Sequence, residues 1–226
     1  MSKYYRVYAD VDLDIITSNV EALMKLTPES TGAIAVVKAD GYGHGDVAVA
    51  KAVDSKVQMF AVATLDEAVN LRENGIDKPI LILGFVNVDE YETLVKNNVT
   101  ASVFDYETAK ELDDVALGLG MKAQCHIKVD TGMRRIGLEP DNTGASIVKD
   151  INSLKNLEVR GIFTHFATSD ETDKSKALVQ LDKFKKFVAM CRKEGIEFEY
   201  VHCANSAAVI DMPETYMDLV RLGIAI

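Results

Sequence analysis

A (β/α)8 barrel is the fold this sequence predicts, and three observations point to it. Eight apolar, β-rich runs follow one another from Ala33 to the end of the chain, with helix-patterned segments between them. Several runs are apolar throughout, as in Ala33–Val37 (AIAVV) and Pro79–Gly84 (PILILG), the pattern of parallel strands covered on both faces. The length, 226 residues, is ordinary for one such barrel. A doubly wound open sheet is the alternative arrangement of the same βαβ units.

Taken in order, Tyr5–Asp12 alternates and reads as a short strand. Leu13–Leu26 carries Ile16, Val20, Leu23 and Met24 at helical spacing and stops before Pro28. The strand Ala33–Val37 runs into Lys38, and a Gly-rich turn leads to a helix over Asp46–Val53 with Asp46 as its cap. Met59–Thr64 is a strand, and Leu65–Asn74 a helix closed by Gly75. Pro79–Gly84 is a strand, followed by a helix over Asp89–Lys96. Thr100–Phe104 precedes the helix Tyr106–Leu117, closed by Gly118 and Gly120. Ala123–Asp130 precedes a helix near Asn142–Ile151. A strand within Leu157–Phe166 precedes the longest helix, Thr172–Glu194, which Gly195 ends. Phe198–Ala204 is followed by a short helix over Ser206–Ile210 with Ser206 as N-cap, and Leu219–Ile226 is the last strand. An apolar strand that reaches the final residue implies that something follows it in the native protein, so residues 1–226 read as one N-terminal domain.

The formal charge of −10 argues against nucleic acid or an anionic membrane surface as partner. No apolar run reaches membrane-spanning length, and the N-terminus has no signal-peptide core. Cys125, Cys191 and Cys203 are odd in number and widely spaced, which fits a reducing cytoplasm and no metal site.

Barrel enzymes work at the C-terminal ends of their strands, and candidate residues sit there. Lys38 ends the first strand, before Asp40-Gly41-Tyr42-Gly43-His44-Gly45. A lysine withdrawn from water sheds its proton more readily, as Schiff-base chemistry requires, and the glycines admit a ligand to the backbone. On the fifth strand Gln124, His126, Lys128 and Asp130 share one face, which must point into the barrel, with Arg135 as an available cation. A purely structural polar network is the other reading of that face. His165 ends the sixth strand and His202 lies within the seventh. Arg221 lies within the eighth, where its permanent charge needs an anion or a strong acceptor. Asn205-Ser206 and Gly223-Ile224 follow the seventh and eighth strands, where phosphate often binds.

The segment Val37-Lys38-Ala39-Asp40-Gly41-Tyr42-Gly43-His44-Gly45 resembles the cofactor-lysine motif of the alanine racemases. Lys128-Val129-Asp130-Thr131-Gly132-Met133 with Arg135-Ile136-Gly137 is similar to a second segment of that family. Phe163–Ala167, His202–Ser206 and Val220–Ile224 match further ones in order, so the likeness runs through the chain. The resemblance implies pyridoxal 5′-phosphate (PLP) as cofactor and exchange of L- and D-alanine for peptidoglycan as activity. It implies Lys38 as Schiff-base lysine and base for the D-enantiomer. Tyr42, Ser206, Gly223 and Ile224 would hold the phosphate, with Asn205 beside them. Arg221 would face the pyridine nitrogen, supported by His165. Arg135 would lie near the phenolic oxygen and the substrate carboxylate. In some members the lysine matching Lys128 is carbamylated and orients that arginine. The family's second base is a tyrosine of a C-terminal β domain, contributed by the partner subunit of a homodimer. This chain ends before that domain and should therefore racemise slowly or not at all. A stand-alone PLP-binding barrel without racemase activity, a serine racemase of the same family and a Schiff-base aldolase are the rival readings.

Overall fold

The computed structural model describes residues 7–226, and in them each apolar run pairs with the next. The strands are β1 (Gly32–Val36), β2 (Met59–Val62), β3 (Ile80–Ile82) and β4 (Thr100–Val103), then β5 (Ala123–Lys128), β6 (Leu157–Phe163), β7 (Tyr200–His202) and β8 (Leu219–Leu222). They lie parallel in chain order, and β1 pairs with β8 from Gly32↔Leu219 to Ala35↔Leu222, so the sheet closes on itself. Closure excludes the open doubly wound sheet.

The helices are α1 (Leu13–Met24), α2 (Asp46–Val53), α3 (Leu65–Glu73), α4 (Tyr91–Lys96), α5 (Tyr106–Leu119), α6 (Asn142–Asn152), α7 (Ser175–Lys193) and α8 (Ser206–Asp211). Side-chain caps set their starts: Asp12 accepts from the Asp14 and Ile15 amides, and Asp105 and Asp141 do the same for α5 and α6. Two expected caps are displaced by one residue. Gly45 precedes α2, with Asp46 at the first helical position, and Asn205 rather than Ser206 caps α8 by accepting from the Ala208 amide.

Alternation along the strands separates two cores. Ala33, Ala35, Phe60, Ile80 and Ile127 join the large apolar layer between strands and helices. Ile34, Val36, Met59, Ala61, Leu81 and Leu219 fill one half of the barrel interior. The other half, from β5 to β8, holds His126, Lys128, His202 and Arg221, all nearly without solvent contact.

Three expectations are corrected. Of the strand expected at Tyr5–Asp12, residues 7–12 run as exposed irregular chain, and the rest lies outside the described residues. A closed barrel offers no free edge for a further strand to pair with. The last strand stops at Leu222 rather than at Ile226; Gly223–Ile226 turn back, with the Ile226 amide donating to the Gly223 carbonyl (3.0 Å). Lys38 stands two residues past β1 and is half-buried rather than sealed in the sheet.

Candidate active site

The chain leaves β1 in a turn of the wrong hand. Ala39, Asp40, Gly41 and Tyr42 have φ of 52–58° and ψ of 30–52°, a left-handed helical turn. For an L-residue this conformation costs about 1–2 kcal/mol, and three of the four are not glycine. Strain of that kind persists only where surrounding bonds over-determine it. The Gly41 amide donates to the Val37 carbonyl (2.9 Å), the Gly45 amide to the Asp40 carbonyl (2.8 Å), and the Ala39 amide to the Glu67 carboxylate (2.7 Å). The result places Lys38 and Tyr42 together on the barrel mouth.

Inside the barrel Arg221 is the hub. Its guanidinium donates to the Thr164 and Cys203 carbonyls (2.9 and 3.0 Å), to His202 Nδ1 (3.0 Å) and to His165 Nδ1 (3.2 Å). Those ring nitrogens must therefore be unprotonated acceptors. Burial and the Arg221 charge push His165 down to about 3 and hold His202 well below the usual histidine range. With Nδ1 accepting, His202 carries its proton on Nε2 and donates to His126 Nδ1 (3.0 Å). His126 then carries a buried Nε2–H that has no partner among the described residues. Burial lowers the Arg221 pKa to about 10, so it remains a cation at neutral pH.

Lys128 and Arg221 are two buried cations in one interior. Phe163 lies between them, its ring centroid 5.6 Å from each, and stacks on His202 at 5.0 Å. Strand register produces this row, since Lys128 pairs with Phe163 and Phe163 with His202. Lys128 Nζ donates to the Val129 and Ile136 carbonyls (2.9 and 3.1 Å). Burial outweighs the attraction of Asp130 and lowers its pKa to about 8.

Asp130 does not pair with the Arg135 guanidinium. Its carboxylate accepts the backbone amides of Gly132, Arg134 and Arg135 (2.8–3.1 Å), which folds the loop and leaves the Arg135 side chain to the cleft. These bonds and Lys128 hold Asp130 below its ordinary pKa despite its partial burial. Across the mouth, Ser206 Oγ accepts from the Gly223 amide (3.0 Å). A Cβ on Gly223 would stand 2.7 Å from Tyr42 Oη, so a larger residue there would have to push the Tyr42 phenol aside. Burial raises the Tyr42 pKa and keeps it a neutral phenol.

One cleft of about 370 Å³ gathers Lys38, Tyr42, Lys128, Arg135, His165, Asn205, Ser206, Arg221, Gly223 and Ile224. Every residue to which the family resemblance assigns a role lines it, whereas Asp130 and His202 do not. His126 does not; it lies beneath, and Gln124 lies lower still, reaching Asn98 at 3.3 Å. Phe163 and His202 went unrecognised as partners of Arg221; only the period-two spacing of inward positions hinted at them. Gln180, on α7, was invisible from sequence: it accepts from the Ala167 amide (2.9 Å) and donates to Thr131 Oγ1 (3.3 Å), tying the β5 and β6 loops together.

The model of the family described as "Alanine racemase, N-terminal domain" matches residues 11–226. Curated relatives include alanine racemases of Desulforamulus reducens, 43% identical over 96% of this chain and 59% of the relative, and of Clostridium perfringens, 45% identical over 96% and 56%. The alanine racemase structure of Clostridium difficile 630 superposes with a TM-score of 0.93 at 38% identity, over 94% of this chain and 56% of that one. The chain thus spans a little over half the length of the relatives it matches. By the family match along nearly its whole length and by identities above 40%, the chain belongs to the alanine racemase N-terminal domain family.

Proposed function

We propose that this chain is the PLP-binding barrel of an alanine racemase, serving exchange of L- and D-alanine for cell-wall peptidoglycan in the cytoplasm, within a homodimer. The observation that carries this reading is the single cleft uniting two amines, two hydroxyls, a backbone N–H at a glycine and two guanidiniums. Its volume suits a small cofactor. Lys38 shares the mouth with the Tyr42–Ser206–Gly223 corner, where a side chain on Gly223 would displace the Tyr42 hydroxyl. Those features fit a molecule with an aldehyde at one end and a phosphate at the other.

When bound, PLP supplies a ring that disperses the electrons freed at the substrate α-carbon. The chain's residues do the rest. Lys38 would hold the cofactor through its amine, with loss of water from the aldehyde, and would move a proton on one face of the α-carbon. Tyr42, as a neutral phenol, and Ser206 donate to the phosphate with the Gly223 and Ile224 backbone, while Asn205 holds Ser206 at the start of α8. Arg221 has no lone pair to accept a proton, so facing the pyridine nitrogen it would leave that atom unprotonated and restrain side reactions such as transamination. His165 and His202 keep its fork aimed. Arg135 receives the substrate carboxylate. Lys128, whose pKa of about 8 makes the neutral amine accessible, is the residue for carbamylation, which would turn a buried cation into an anion facing Arg135.

Borohydride trapping tests the reading. PLP is added, the spectrum recorded, the protein reduced and digested, and the modified peptide identified by mass. A pyridoxyl group on Lys38 is expected; labelling spread over surface lysines, or none, overturns it.

A further inference from the structure

The left-handed turn after Lys38 is held from outside by one helix. Glu67 Oε1 accepts from the Ala39 amide at 2.7 Å, and Oε2 accepts from the Ala63 amide at 2.7 Å and the Thr64 amide at 3.3 Å. One carboxylate therefore staples the chain leaving β1 to the chain leaving β2. Asn70, one turn further along the same face of α3, donates to Asp46 Oδ2 (2.9 Å). The Asp46 amide in turn donates to Asp40 Oδ1 (3.1 Å). Glu67 thus holds the first residue of the strained turn, Ala39, and Asn70 reaches the second, Asp40, through Asp46. Neither side chain lines the cleft.

Without the carboxylate, the Ala39 amide would have no protein acceptor to hold it. Ala39 would relax toward the right-handed region, and the Lys38 side chain would leave its position. We propose that Glu67 is a positioning residue for Lys38, with Asn70 steadying the next residue of the turn through Asp46. Its two oxygens hold the backbone that aims the lysine into the cleft. This inference rests on the reading of Lys38 as the PLP-bearing lysine.

Three variants of the 226-residue chain separate this role from plain stability. E67A removes the staple. E67Q keeps the side chain's size but offers a single acceptor oxygen and turns an amide donor toward a backbone N–H. T64A weakens the α3 cap without touching Ala39. Amide hydrogen exchange should be roughly tenfold or more faster at Ala39 in E67A and intermediate in E67Q, while Phe163 and Arg221 stay as in the parent. Borohydride trapping of PLP at Lys38 should slow by roughly tenfold in E67A and less in E67Q. T64A should match the parent in both readouts. If E67A fails to fold, the isosteric E67Q carries the test alone. Parent-like protection of Ala39 in E67Q and E67A overturns the proposal. So does exchange that rises while Lys38 is trapped at the parent rate. A parent chain unlabelled at Lys38 instead overturns the cofactor reading, and exchange at Ala39 then decides the brace by itself.

Discussion

Arg221 shows what a single residue can demand of its surroundings. A guanidinium cannot be neutralised by shedding its proton, so a buried one must be surrounded by acceptors. Two backbone carbonyls and two imidazole nitrogens answer that need. Lysine at this position keeps the charge but not the planar fork, and cannot reach all four. R221K should cost about 2–4 kcal/mol, because at least two buried acceptors lose their partner. Urea denaturation measures it, and a cost under about 1 kcal/mol would mean that the network is not what holds Arg221. The requirement for acceptors was legible in the sequence, since an arginine among apolar strand residues announces it. Their identity was not: Thr164 stands 57 residues away in the chain and His202 19.

At the scale of elements, glycines distinguish loops that aim side chains from helices that merely cover strands. Gly137 has φ of 139°, and a Cβ there would lie 2.4 Å from the Asp130 amide. G137A should therefore push apart the β5 loop that presents Arg135 and destabilise the protein by about 1–3 kcal/mol. Gly118, on exposed α5, has no atom within 4 Å of a Cβ and no unusual φ. G118A should raise stability by about 0.5–1 kcal/mol, through helix propensity and a stiffer unfolded chain. Thermal melts of the two variants, run side by side, check the opposite signs. The same elements mark the limit of pattern reading. Apolar runs placed all eight strands, yet most strands end earlier than the runs do, as β8 does at Leu222. Past the last ladder bond an apolar residue can still be buried against a helix or the cleft, so hydrophobicity continues where pairing has ceased.

For the molecule as a whole, the buried histidines set its response to acid. His126 and His165 have pKa values of about 3, and His202 is lowered as well, all chiefly by burial. In the unfolded chain each would titrate near the ordinary histidine value of about 6.5. Between these limits the unfolded state binds more protons, so stability falls as pH falls. It should be flat in these groups above about pH 7 and decline from about pH 6.5 toward pH 3, at no more than about 1.4 kcal/mol per pH unit for each histidine. Urea midpoints from pH 8 to pH 4 read this out, and H126F should flatten the slope by one histidine's share. A slope unchanged in H126F would show that His126 does not titrate between the two states.

Local pattern was enough for the number and order of the strands, their burial on both faces and the position of Lys38 at the mouth of the first. These follow from patterns within a few residues, where hydrophobic periodicity and turn chemistry act. Tertiary structure alone decided which polar groups meet. The row of Lys128, Phe163 and His202, the reach of Arg221 to Thr164 and His165, and the grip of Glu67 on Ala39 all join separate strands or helices. Such meetings depend on barrel closure and on strand register, which no local pattern encodes, because one residue of slip would turn every inward side chain outward.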